Sequence, residues 1–103
     1  MALDEQEIEQ EIQDKGLNAP RLTPDLIDSK ISYCQYFRVD NTTVTICAMV
    51  LKNGFTVVGK SAAVSMENFD SELGEKIAYD DAREQIWSLE GYVLKEQLCR
   101  KEK

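Results

Sequence analysis

The stretch Thr43-Val-Thr-Ile-Cys-Ala-Met-Val-Leu-Lys-Asn-Gly-Phe-Thr-Val-Val-Gly-Lys-Ser-Ala-Ala63 decides the fold. Two β-branched, apolar runs flank Asn53-Gly54. Asn-Gly is the strongest short hairpin signal, because a type I′ turn needs φ > 0 at both central residues. Read as a two-residue loop, it sets Lys52 against Phe55, Leu51 against Thr56, Val50 against Val57 and Ala48 against Gly59.

Working outward, Ser32 to Val39 alternates as a strand, and Asp40-Asn-Thr-Thr43 is a second turn. With Asn41-Thr42 as its loop, Val39 faces Val44, Phe37 faces Ile46 and Tyr33 faces Val50. The two turns then agree on one core face: Tyr33, Phe37, Val39, Val44, Ile46, Ala48, Val50, Phe55, Val57 and Ala63. The opposite face would carry Cys34, Tyr36, Cys47, Met49, Leu51 and Val58, which is too apolar for a solvated face.

From about residue 70 to 98 the chain reads as a long helix with two apolar stripes. Ala78, Ala82, Ile86, Leu89 and Val93 form one. Leu73, Ile77, Trp87, Leu94 and Leu98 form the other. Gly74 and Gly91 weaken the helix locally but permit another backbone to come close. Upstream, Asp4 to Lys15 reads as a thin acidic helix whose apolar positions are Leu3, Ile8 and Ile12, stopped by Gly16. Residues 1–16 form a semi-independent unit on this reading. Leu17-Asn-Ala-Pro-Arg21 connects it to a short helix opened by Thr23 as cap and Pro24 as first helical residue.

The expected fold is therefore α+β in a single domain spanning 1–103. A three-stranded antiparallel meander (about 32–39, 43–52 and 55–64) is packed by a long C-terminal helix, with short N-terminal helices. At 103 residues and 43% hydrophobic content, one modest core is what the chain can build.

Net charge is −7, distributed as −5 over residues 1–30, +1 over 31–69 and −3 over 70–103. The sheet region is nearly neutral and the helices are acidic. Acidic surface repels phosphate, so direct nucleic-acid binding is not expected. The chain has no histidine, which removes histidine-assisted nucleophilic catalysis and histidine metal ligation. Cys34, Cys47 and Cys99 are widely spaced and form no C-x-x-C pair, the pattern of buried thiols in a reduced compartment. The first residues lack the basic and apolar regions of a signal peptide, and no apolar run reaches membrane-spanning length.

Three motifs suggest chemistry. Gly54-Phe-Thr-Val-Val-Gly-Lys-Ser61 matches the P-loop pattern letter for letter, but that chemistry needs a loop feeding a helix, and Phe-Thr-Val-Val is strand material. Gly59 is better read as relief of crowding opposite Ala48 or as a bulge. Asp80, Asp81 and Glu84 bring three carboxylates within about one helical turn, with no further group at metal-ligand or acid–base spacing, so a solvated acidic face is preferred. Cys34 and Cys47 sit diagonally across neighbouring strands, which is poor disulfide geometry. Trp87 and Tyr92 flank Leu89-Glu-Gly91 as an interface anchor would, against the more ordinary reading that they complete the core and its rim.

The chain resembles a family of small tailed-bacteriophage proteins of uncharacterised function. The resemblance is carried by Pro20-Arg-Leu-Thr-Pro-Asp25, Thr45-Ile-Cys47, Leu51-Lys-Asn-Gly-Phe55, Gly59-Lys-Ser-Ala62, Glu67-Asn-Phe-Asp70, Gly74, Ala78, Ala82 and Ile86-Trp-Ser-Leu-Glu-Gly-Tyr-Val-Leu94. In the family pattern position 60 varies, which weakens the P-loop match further. Position 88 is often proline, which implies a bend in the long helix. The resemblance implies a phage or prophage origin and residence in the bacterial cytoplasm. It supplies no catalytic residues.

The expected function is that of a non-enzymatic phage accessory protein, without cofactor or metal. It binds a protein partner, such as a host factor, and self-associates as a homo-oligomer. The candidate interface is Tyr36, Met49, Leu51, Val58, Trp87, Tyr92, Leu94 and Leu98. Two alternatives are an acidic decoy of nucleic acid that occupies a host DNA- or RNA-binding protein, and a small nucleotide-dependent enzyme acting through Lys60.

Overall fold

The structure, a computed structural model, describes residues 4–16 and 19–101. Leu3 and Leu17-Asn18, which belong to the expected first helix stripe and connector, lie outside the described residues. The elements run α1 (Glu5–Asp14), α2 (Pro24–Ser29), β1 (Ile31–Arg38), β2 (Val44–Leu51), β3 (Thr56–Ala62), a 3-10 turn at Met66–Asn68, and α3 (Ser71–Lys101). The strands form one antiparallel sheet in the order β1-β2-β3, and α3 lies across β2 and β3. This is the expected α+β meander with a long C-terminal helix.

Local chemistry accounts for the element ends. The Asp4 side chain accepts from the Gln6 amide at the start of α1, and Gly16 takes a positive φ of 67° just beyond its end. Thr23 caps α2 through the Leu26 amide, with Pro24 as its first residue. α3 runs through Ser88 as one continuous helix. Serine keeps the amide that proline would remove.

The first hairpin has the expected register, with Tyr33 opposite Val50 and Phe37 opposite Ile46. A bulge between Ile31 and Tyr33 then returns Ile31 to the side of Leu51. The second hairpin differs by one residue. Leu51, not Lys52, closes the loop, donating to the Phe55 carbonyl at 2.8 Å. Only Gly54 has positive φ (91°), and the Asn53 side chain accepts from the Phe55 amide at 2.9 Å. The loop is thus Lys52-Asn53-Gly54, a three-residue connection with glycine in the left-handed position.

That single residue turns β3 over. Val57 now pairs with Met49, Gly59 with Cys47 and Val58 with Ala48. The expected core face is corrected accordingly. The face under α3 carries Thr45, Cys47, Met49, Leu51, Val57 and Gly59, which are buried with Ile27, Ala78, Ala82 and Ile86. The face expected inside faces outward, where β3 contributes Thr56, Val58 and Lys60. A lysine in its middle makes it the worse candidate for burial.

Gly59 also sets how close the helix comes. A Cβ there would lie 2.2 Å from the Ala78 carbonyl oxygen and 2.3 Å from the Ala82 amide nitrogen. The backbone of α3 therefore rests directly on the strand, and the stripe Gly74-Ala78-Ala82-Ile86 is the buried side of the helix. Gly59 relieves crowding from the helix rather than from the neighbouring strand. α3 also closes the outer edge of β3. Asp81 accepts from the Lys60 amide at 2.9 Å, and Gln85 donates to the Val58 carbonyl at 2.6 Å.

Candidate functional site

The uncovered face of the sheet exposes apolar side chains from all three strands. Tyr33 (54% exposed), Phe37 (53%) and Val39 come from β1 and its end. Val44, Ile46, Ala48 and Val50 are half-buried along β2, and Val58 (54% exposed) comes from β3. Among the described residues no helix packs on this side, and α3 lies on the other. Gln35, Thr56 and Lys60 are its polar members. Apolar exposure on this scale, rimmed by polar groups, marks interaction surfaces in soluble proteins.

A groove of about 770 Å³ adjoins it, between the second hairpin and the C-terminal half of α3. Phe55, Val58, Leu89, Tyr92 and Val93 line it, with Leu51 at its base. Leu89 and Val93 continue the stripe of Ala78, Ala82 and Ile86 but are exposed. The buried stripe of α3 ends at Ile86, because the 31-residue helix is longer than the sheet it crosses.

Of the eight residues expected at an interface, the structure brings Leu51, Val58 and Tyr92 (70% exposed) to this groove. Met49 is fully buried and Leu51 nearly so, because α3 packs on their face of β2, where the one-residue register difference adds Val57 and Gly59. Tyr36 lies on the helix side of β1, partly open beside Glu75, Lys76 and Tyr79. Leu94 and Leu98 are half-buried further along α3. Tyr33, Phe37, Val39 and Phe55 were expected in the core. Tyr33, Phe37 and Val39 are exposed because α3 packs on the other face of the sheet, whereas Phe55 shares the helix-side face with Val57 and is exposed at the end of the loop.

Trp87 is half-buried and belongs to a different cluster. Its indole N–H donates to Glu5 at 3.2 Å. The same Glu5 carboxylate accepts from Arg83, which also donates to Asp28 at 2.7 Å and to the Pro24 carbonyl at 3.3 Å. Arg83 is 13% exposed and ties α1, α2 and α3 together. Its hydrogen bonds to Glu5 and Asp28 outweigh burial and raise its pKa. Glu9 and Arg21 form a second, bidentate pair at 2.8 Å, which lowers the Glu9 pKa. The sequence reading missed Arg83. The available signal was a lone arginine four residues before Trp87, facing an acidic helix.

The segment matching the P-loop pattern is strand from Thr56 to Ala62, with no helix following Ser61, so it does not form a phosphate-cradling loop. Asp81 of the carboxylate group is engaged by β3. Among the described residues, no three His, Cys, Asp or Glu side chains converge as a metal site. Cys34 and Cys47 are free thiols, Cys34 facing Met49 and Cys47 facing Tyr36. Burial, and then the neighbouring Cys34, push the Cys47 thiol up. Among the described residues, no helix is long and apolar enough to cross a membrane.

Residues 22–98 match the family described as "Phage protein (N4 Gp49/phage Sf6 gene 66) family", and the chain belongs to it. The matched span starts after α1 and covers α2, the whole sheet and nearly all of α3. No curated protein and no solved structure matches the chain.

Proposed function

We propose that this phage protein is a non-enzymatic accessory factor that acts in the cytoplasm of the infected bacterium by binding another protein. The observation that carries the reading is the open sheet face, with Tyr33, Phe37 and Val58 about half exposed on a rigid, hydrogen-bonded platform. Aromatic side chains on such a platform bring large contact area at low entropic cost. The groove beside Tyr92 extends the same surface around the edge of β3. The matched family span includes this entire surface and excludes α1.

The acidic-decoy reading has weaker support. Glu5, Glu9 and Asp28 are occupied by Arg83 and Arg21, which reduces the acidic charge free to imitate a phosphate backbone. A nucleotide-dependent activity draws no support from Lys60, whose segment is an edge strand.

The test is affinity capture from phage-infected cells with the wild-type chain and with Phe37→Glu and Val58→Glu. Both substitutions are at exposed positions and leave the core intact. Partners retained by the wild type and lost from both variants support the reading. Equal retention by all three overturns it, because a charge at the centre of a buried apolar contact is costly.

A further inference from the structure

The two edges of the sheet are treated differently. The outer edge of β3 is closed by Asp81 and Gln85 from α3. The outer edge of β1 is not: no strand lies beyond it among the described residues, and α3 lies over β2 and β3. The Val39 amide donates to Val44, which fixes the parity of the ladder. Tyr33, Gln35, Phe37 and Val39 therefore point their backbone groups at β2. Cys34, Tyr36 and Arg38 point theirs outward.

From this asymmetry we infer that the edge of β1 pairs with the same edge of a second copy of this chain, antiparallel across a twofold axis at Gln35, extending the sheet to six strands. This deepens the binding-surface reading by naming one occupant, and it rests on that reading only where Tyr33 and Phe37 are shared.

Three features select a second copy and this register. First, β1 carries a single charge, Arg38, and no carboxylate, in a chain of net charge −7. The strand itself therefore opposes no carboxylate to its copy; Glu72, Glu75 and Asp80, which lie beside Tyr36 on the helix side, are accompanied there by Lys76. Second, centring on Gln35 sets Tyr33 against Phe37 of the other copy, twice, on the open face. Aromatic pairs of this kind stabilise antiparallel strands. Third, it sets Arg38 against Ser32 rather than against another arginine. Cys34 and Tyr36 then exchange backbone hydrogen bonds with Tyr36 and Cys34 across the axis. Both copies of α3 fall on the same side of the extended sheet, and the open faces become one continuous surface. An interface this short is smaller than a standard stable one, so the association belongs in the micromolar range.

The test combines sedimentation equilibrium with site-directed crosslinking, in a Cys99→Ser background to remove the exposed thiol. The expected result is a dimer that populates through the micromolar range and strengthens with added salt, because net repulsion between copies is screened. Gln35→Lys places two like charges opposite each other at an exposed position and weakens the dimer at least tenfold, with an unchanged melting curve at concentrations where the wild type is monomeric. Gln35→Cys crosslinks rapidly under mild oxidation, because non-hydrogen-bonded partners across antiparallel strands lie within disulfide reach. Thr56→Cys, on the opposite edge, does not. A chain that stays monomeric at all concentrations overturns the inference, as does a dimer indifferent to Gln35→Lys with no Gln35→Cys link. Val58→Glu separates the two proposals: it leaves the dimer intact even where it abolishes capture of other proteins.

Discussion

Replacing Gly59 by alanine adds one methyl group at the tightest point of the fold. That methyl would stand 2.2 Å from the Ala78 carbonyl oxygen, 2.3 Å from the Ala82 amide nitrogen and 2.9 Å from the Ala82 α-carbon. Ordinary contact is 3.4–4 Å. The helix must therefore lift by more than an ångström along its contact with Cys47, Met49 and Val57. A radial gap of about 0.5–1 Å already forfeits a quarter to a half of each dispersion contact. Overpacking usually costs about 1–3 kcal/mol. Here every clashing atom is backbone, so no rotamer change relieves it, and the expected cost is at least about 3 kcal/mol. At about 4–8 °C per kcal/mol for a domain of this size, the melting temperature falls by at least about 12 °C. Thermal and urea unfolding followed by circular dichroism measure this. Adding Ala82→Gly does not rescue the variant, because the clash is with the helix backbone. Gly91→Ala serves as the control: its Cβ would meet only Leu22, at 3.8 Å, and it should stabilise the helix by about 0.5–1 kcal/mol. A Gly59→Ala protein within about 1 kcal/mol of wild type would refute the close-approach argument.

Arg83→Met removes the tie between α1, α2 and α3. Because Asp28 and Glu5 are substantially solvated, the cost is about 1–2 kcal/mol rather than that of a buried pair. Hydrogen exchange should show α1 amides losing protection while β2 keeps its own. Asp81→Ala with Gln85→Ala uncovers the β3 edge and should raise aggregation on heating, read by light scattering against a wild-type control. Burial raises Tyr36 from 10.0 to about 12 and Cys47 from 9.0 to about 12. Raised folded values mean this stability is fully present below pH 9 and is lost as pH rises toward about 12. The urea midpoint should fall between about pH 8 and about pH 10.5, less steeply in Cys47→Ala; a flat midpoint contradicts the assignment.

Much of the architecture follows from signals that local chemistry makes unambiguous. Thr23-Pro24 opens α2, Gly16 closes α1, and the first hairpin register follows from pairing Val39 with Val44. The orientation of the sheet was not legible, because Asn-Gly serves two loops. In a two-residue loop both residues need positive φ; in a three-residue loop only the glycine does. The choice turned on Leu51 bonding to Phe55, and nothing within the turn itself announces it. The decisive clue was distant: Gly59 admits the helix backbone at Ala78 and Ala82, where a side chain would clash, so its face must be the covered one. The candidate surface inherited the error. Tyr33 and Phe37 were assigned to the core and Met49 to the surface, although all three were recognised as apolar and strand-borne. Arg83 was invisible for another reason: its partners lie 55 and 78 residues away in the chain.

The ambiguity can itself be tested by deleting Lys52. The remaining loop would be Asn53-Gly54, a two-residue connection still flanked by Leu51 and Phe55. Because those two residues already exchange a backbone hydrogen bond, the deletion keeps β3 in register and keeps Val57 and Gly59 under α3. It loses the bond from the Lys52 amide to the Lys30 carbonyl, at 2.9 Å, worth about 1 kcal/mol. It gains a type I′ turn with its preferred residues. The two effects nearly cancel, so the variant should unfold within about 1 kcal/mol of wild type, with amides of Cys47 and Met49 as protected as before. Deleting Phe55 instead leaves Thr56 to close the loop against Leu51 and shifts every later β3 residue by one position. That carries Gly59 to the open face, puts Val58 in the place of Val57 and sets Lys60 opposite Cys47, where its side chain meets the backbone of α3. This second variant should not reach a folded state. If both deletions behaved alike, the coupling between loop length and the Gly59 contact would be wrong, and with it the assignment of the open face to Tyr33, Phe37 and Val58.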